Sequence, residues 1–340
     1  MAQLVARDVW DVDAAGSNPV TPTKREFINL LQKNYGLSLL FFSKTSAEGA
    51  LLLMNTNIRL SADVFTKLVD AFKENEWDIP NESAGNESRF NRFCERLSIL
   101  DTKEQLLVIE LTKRFKVIDS SDYFKFIIEL LNDINRKNIA YFQQTNNFYI
   151  LPLIAPKDFN KTKSSNFVWY YFRSEEVKYH PLFLGKQLKF IEPANTTALQ
   201  SLNSSDSVIL VDDYVGSGDT AKDAIEWLTT NSSVLQERIV ILSIAAQNAG
   251  INYINNDLHV PTYALHKLPK GISDYYTSDA LENHTKTMKA IERKLKVGKR
   301  FKFGYNRSEG LISLIRTPNN TFPVFWQPHS ANMNAPFSRD

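Results

Sequence analysis

Two adjacent carboxylates, Asp212 and Asp213, stand between the apolar run Val208-Ile209-Leu210-Val211 and the small-residue turn Tyr214-Val215-Gly216-Ser217-Gly218-Asp219-Thr220. Fixed carboxylates can steady a positive charge that develops in a transition state. Glycines free a backbone to approach a ligand closely, and N–H groups of such a turn at a helix N-terminus bind phosphate. The chemistry implied is therefore binding of an anionic, phosphate-bearing ligand beside two carboxylates.

The elements that must position these residues follow from the flanking pattern. Val208 to Val211 is short, β-branched and wholly apolar, as expected of a parallel strand buried on both faces. That puts the acidic pair at the strand's carboxyl end, where open α/β sheets bind ligands. Ala221 to Leu228 has helical spacing and propensity. No Gly-Lys-Ser/Thr follows, so the turn is not a P-loop, and the acids precede the glycines, so it is not a dinucleotide fingerprint. The plainer reading is an Asp-Asp turn opening a helix capped by Asp219 or Thr220.

The thirteen residues Val208 to Thr220 resemble the ribose-5-phosphate loop of the type I phosphoribosyltransferases, with Ser217-Gly218 where many members have Thr-Gly. The resemblance implies an α/β core with a central, mainly parallel sheet. It also implies that Asp212 and Asp213 hold the ribose 2′ and 3′ hydroxyls and that Val215, Gly216, Ser217, Gly218, Asp219 and Thr220 wrap the 5′-phosphate. Mg2+ would come with phosphoribosyl pyrophosphate rather than from metal ligands of the protein. In that family pyrophosphate lies against the loop after the first core strand, which maps to Ala155 to Ser165 and makes Lys157, Lys163 and Ser164 candidates. Lysines on a solvated loop are the competing reading.

Phe303-Gly304-Tyr305, Thr317 to Thr321, Pro323 to Trp326 and Leu97 to Tyr123 are similar to a bacterial subgroup called PRTase-CE. That resemblance implies an antiphage defence effector, with a retron reverse transcriptase and its msDNA as partners. It offers Tyr305, Asn319 and Asn320 for an acceptor, although Pro318-Asn319-Asn320 also reads as a turn before an edge strand. Two functional readings stay open: transfer or cleavage of a phosphoribosyl group, and a non-catalytic sensor or regulatory nucleic-acid-binding protein.

From Lys286 to Arg307 there are nine Lys or Arg and one acid, Glu292, with Phe301, Phe303 and Tyr305 interleaved. Cations track a phosphate backbone and aromatics stack bases, which nominates Lys294, Lys296, Lys299, Arg300 and Lys302 for nucleic acid. A solvated helix face followed by core aromatics reads equally from the same pattern.

At 340 residues the chain suggests two domains, and 43% apolar content supplies sizeable cores. The single Cys94 excludes an internal disulfide framework, and the five scattered histidines lack zinc-site spacing. There is no membrane-length apolar run and no signal peptide, so a cytoplasmic protein is expected. A net charge of +2 argues against global attraction to nucleic acid. Nothing in the sequence fixes the oligomeric state.

Residues 1–23 read as a disordered or non-native extension, since Gly16-Ser17-Asn18-Pro19 resembles a transfer RNA gene's T-arm read in one frame. Residues 24–137 read as a mainly helical region, 138–327 as the α/β domain and 328–340 as a tail. The pattern predicts helices at Lys24 to Tyr35, Ala62 to Asn75, after Asp101 and at Asp122 to Ile134, the last capped by Ser121. A strand-like stretch covers Leu37 to Phe42 and a polar loop Pro80 to Ser88. Further strands are predicted at Phe148 to Ile154, Asn166 to Phe172, Arg238 to Ile244, Leu258 to Leu265, Leu311 to Ile315 and Thr321 to Trp326. An amphipathic helix is predicted at Ser278 to Val297.

Overall fold

The computed structural model describes residues 50–52, 59–79, 88–192, 195–329, 334–337 and 339. The expectations for 1–23, the helix at 24–35, the strand-like stretch at 37–42 and the loop at 80–87 lie outside them. The chain divides into two compact units at Ile109/Glu110.

In the first unit β1 (Ala50–Leu52) pairs antiparallel with β2 (Arg59–Ser61). Ser61 accepts the Val64 N–H and so caps α1 (Ala62–Glu74), which buries Val64, Phe65, Leu68, Ala71 and Phe72. Phe72 meets Phe90 and Phe93 of α2 (Arg89–Ser98) edge to face, and Cys94 is free and buried. The capping pair at the start of α3 (Thr102–Lys113) is reciprocal: Glu104 N–H donates to Asp101 at 3.1 Å and Asp101 N–H donates to Glu104 at 3.0 Å.

The second unit is built on five parallel strands, β4 (Asn147–Pro152), β5 (Gln187–Phe190), β6 (Ser207–Val215), β7 (Ile239–Gln247) and β8 (Thr262–Leu268), ordered β5-β4-β6-β7-β8. The two faces alternate along each strand. Ile209, Val211, Val240 and Leu242 pack with Ile127, Leu130, Leu131 and Ile134 of α4 (Tyr123–Arg136) and with Val168 of α5 (Ser164–Tyr171). Val208, Leu210, Ile239 and Ile241 pack with Ala224, Ile225 and Leu228 of α6 (Asp219–Asn231). This doubly wound sheet is the predicted α/β core.

The strand order fixes where a ligand fits. From β4 the chain passes to the edge strand β5, then returns to the other side of β4 as β6 and continues outward. The carboxyl ends of β4 and β6 therefore release their loops in opposite directions, which opens a crevice between them.

Several expected elements differ. Asn166 to Phe172 is not a strand: α5 covers Ser164–Tyr171. Its aromatic and β-branched residues suit either element, and packing decides, with Val168 and Phe172 buried four apart and Trp169 Nε1 donating to the Ile150 carbonyl at 2.9 Å. Thr321 to Trp326 is not a strand either, because Pro323 opens the short helix Pro323–Trp326. Of Leu311 to Ile315 only β9 (Ile312–Ser313) is extended, and it pairs parallel with β3 (Lys116–Val117) apart from the main sheet. Ser121 does not cap α4: it lies inside a 3-10 turn, Ser120–Asp122, that leads into the helix. The amphipathic helix is present as α7 (Ser278–Lys294), burying Met288 and Ile291.

Candidate functional site

The crevice between the ends of β4 and β6 is a cleft of about 510 Å³. One wall is the loop after β4 with the start of α5, the floor is the end of β6, and the far wall is the segment 300–320.

Asp212 and Asp213 lie on this floor, 9% and 4% exposed. Asp213 is held from both sides: Ser164 Oγ donates to Oδ1 at 2.6 Å and Tyr123 Oη to Oδ2 at 2.8 Å. Asp212 accepts the Asp213 N–H at 2.9 Å. Burial, reinforced by the charge of Asp213, holds the Asp212 carboxyl well above the usual carboxylate range. Burial and the same neighbour push the Tyr123 phenol up, so it remains a donor.

Beyond the acids the chain turns through Gly216, Ser217 and Gly218 into α6. Gly218 has φ +91° and precedes the first residue of α6, Asp219, so the N-terminal N–H groups of the helix face the turn. The turn is tightly enclosed. A Cβ on Gly216 would come within 2.2 Å of Asn320 Oδ1, and one on Gly250 within 2.1 Å of the Gly216 carbonyl oxygen. Val215 is buried beneath it, and Gly216, Ser217, Gly218, Asp219 and Thr220 all line the cleft.

The remaining sequence candidates divide into groups. Lys157 and Lys163 line the cleft, but Lys157 Nζ pairs with Asp223 of α6 at 2.6 Å and Lys163 Nζ with Asp158 at 2.8 Å. Ser164 is spent on Asp213, whereas Ser165, in the same first turn of α5, lines the cleft with a buried hydroxyl that has no partner among the described residues. Tyr305, Asn319 and Asn320 also line the cleft. Tyr305 Oη donates to Asp219 Oδ2 at 2.8 Å and so braces the turn, whereas Asn320 Nδ2 donates to Ser308 Oγ at 2.8 Å and its side chain packs closely over Gly216.

Of the cationic stretch only Arg300 reaches the cleft, its guanidinium 4.9 Å from the Tyr305 ring centre. Lys294, Lys296, Lys299 and Lys302 are exposed outside it, Phe303 is buried, and Phe301 packs edge to face on Trp326. The aromatics in that stretch therefore serve the core more than an open stacking surface.

Among the cleft residues not singled out from sequence are Phe167, Ile315, Arg316 and Arg339. Tyr123, which holds Asp213, reads from sequence as part of a helix and of the Leu97 to Tyr123 resemblance, with no role in the site. No local pattern marks any of them. Among the described residues no three His, Cys, Asp or Glu are grouped to hold a metal ion, and no helix is long and apolar enough to cross a membrane.

A doubly wound parallel sheet with an acidic pair and an anion-type turn at its switch point defines a type I phosphoribosyltransferase-like protein. Residues 91–339 match the PRTase-CE family, and the chain belongs to that family. Orotate phosphoribosyltransferase from Aeropyrum pernix is a similar solved structure, 14% identical, covering 50% of this chain and 73% of that one, with a TM-score of 0.26. No curated protein matches.

Proposed function

We propose that the cleft binds a phosphoribosyl ligand and transfers or cleaves its phosphoribosyl group. The observation that carries this reading is the Asp212-Asp213 pair at the end of β6, continuous with the enclosed Gly216 to Thr220 turn at the N-terminus of α6. The turn takes the 5′-phosphate as a remote anchor, and the carboxylates take the 2′ and 3′ hydroxyls and offset the charge on the sugar. In transfer, a lone pair of the acceptor forms the bond to the anomeric carbon while the bond to pyrophosphate breaks and pyrophosphate leaves with the electron pair. In cleavage, water takes the acceptor's place and the base leaves.

The N-terminus of α5, with the unpaired Ser165 hydroxyl and Lys163 beside it, supports a pyrophosphate position. Mg2+ prefers oxygen ligands, and the pyrophosphate and ribose oxygens of the ligand would supply them, with Asp212 and Asp213 holding the ribose hydroxyls. Bound there it would neutralise charge on the departing pyrophosphate.

A second reading, a sensor that binds the ligand without turnover, is favoured by the ion pairs that occupy Lys157 and Lys163. In either case the role as an antiphage defence effector, with a retron reverse transcriptase and msDNA as partners, is a proposal that rests on the sequence resemblance alone.

The test is expression in bacteria of wild type and the Asp212→Asn, Asp213→Asn variant, with nucleotide pools profiled. Toxicity lost in the variant together with one altered nucleotide supports the catalytic reading. An unaltered pool despite retained binding of phosphoribosyl pyrophosphate supports the sensor. Toxicity that persists in a folded variant removes this cleft from the activity.

A further inference from the structure

Four of the nine non-glycine positions with positive φ among the described residues fall in one short stretch: Phe303 (+60°), Asn306 (+52°), Arg307 (+53°) and Glu309 (+51°). Asparagine adopts that conformation readily, whereas Phe, Arg and Glu do so only where surrounding contacts outweigh the strain. Strained backbone of this kind clusters at ligand clamps and switch regions. The stretch is a loop in the far wall of the cleft, and its base is tied. The Glu309 N–H donates to the Phe303 carbonyl at 2.8 Å, and the Glu309 carboxylate accepts the N–H groups of Ile272 and Ser273 at 3.0 and 2.7 Å.

The tip of the loop is held by a single atom of α6. Tyr305 Oη and Asn306 Nδ2 both donate to Asp219 Oδ2, at 2.8 and 2.9 Å. Asp219 is half-buried at the first position of α6 and does not cap it, since the N-cap is Gly218. The helix dipole favours a carboxylate there, but a phosphate bound by the turn brings like charge to the same N-terminus. Two donors on Asp219 offset that repulsion, so phosphate in the turn favours the state in which the loop is fastened.

We propose that Asp219 is a positioning residue, a latch through which phosphate in the Gly216 to Thr220 turn draws the 303–309 loop against the turn. The N–H groups of the turn hold the phosphate, and the Asp219 side chain holds the loop. By reciprocity, the fastened loop raises the affinity of the turn for phosphate by the same factor. This inference rests on the phosphoribosyl reading of the turn.

Titration of phosphoribosyl pyrophosphate with Mg2+ into Tyr305→Phe and Asn306→Gly, each alone and in an Asp219→Ala background, tests the latch. Each change removes one donor, and glycine keeps the positive φ at position 306 accessible, so backbone strain does not cause the loss. Each should weaken binding about tenfold alone and have no further effect in the Asp219→Ala background. Limited trypsin digestion reads the loop itself, because Arg307 is exposed. The ligand should slow cleavage after Arg307 in wild type but not in Asp219→Ala, and unphosphorylated ribose should slow it in neither. Losses of the same size in both backgrounds, or wild-type cleavage that the ligand leaves unchanged, overturn the latch. Failure of wild type to bind phosphoribosyl pyrophosphate overturns the phosphoribosyl reading and the latch with it.

Discussion

Tyr123 donates its phenolic hydrogen to Asp213 across ninety positions of sequence, at 2.8 Å, so a helix before the sheet orients the acid that ends its central strand. A hydrogen bond to a charged group contributes about 1.5–3 kcal/mol. Tyr123→Phe therefore lowers affinity for phosphoribosyl pyrophosphate about tenfold to a hundredfold while the fold stays intact by circular dichroism. Unchanged affinity would show that Ser164 alone orients Asp213.

Asp212 sets activity against stability. Burial raises its folded pKa, so the native state keeps this proton to higher pH than the unfolded chain does. The stability it contributes is complete below the unfolded carboxylate pKa and is lost as pH rises toward the folded value. Asp212→Asn should raise the Tm at pH 8, match wild type near pH 4, and bind ligand more weakly. A lower Tm at pH 8 would contradict the assignment.

Gly250, well beyond the motif, controls the phosphate turn through its bare backbone. A Cβ there meets the Gly216 carbonyl oxygen, which as backbone cannot swing aside, whereas one on Gly298 meets nothing within 4 Å. Gly250→Ala should displace the turn and weaken phosphoribosyl pyrophosphate binding about a hundredfold. Gly298→Ala should be neutral in the same titration.

Glu292 gives a second pH effect with no part in binding. Burial, assisted by the charge of Glu309, pushes its carboxyl from 4.5 up to about 7, against the opposing Phe303 N–H, Lys302 and Arg307. Its contribution to stability is full below about pH 4.5 and declines until about pH 7. Glu292→Gln keeps an acceptor for the Phe303 N–H, so it should recover up to about 3 kcal/mol at pH 8 and nothing at pH 4. Thermal melts across that range check it.

The β6 motif was legible because its signals are local: a buried strand, its acids and its glycines lie in thirteen consecutive residues. The α5 run was not, because Phe, Val, Trp and Tyr suit strand and helix alike, and the choice falls to Val168 and Phe172 packing beneath the sheet. Pro323 opens a helix where a strand was expected. The hold of Tyr123 on Asp213 and the convergence of Phe167 and Ile315 are products of topology, which brings residues 123, 167, 213 and 315 to one crevice without a mark in any local window.

The central claim is that the β6 turn anchors a phosphoribosyl group. Titration of phosphoribosyl pyrophosphate with Mg2+ into wild type and into the Asp212→Asn, Asp213→Asn variant tests it most directly, with unphosphorylated ribose as the reference. Saturable binding to wild type, lost in the folded variant and absent for ribose, is the predicted result. Equal binding by the variant, or none by wild type, would contradict it.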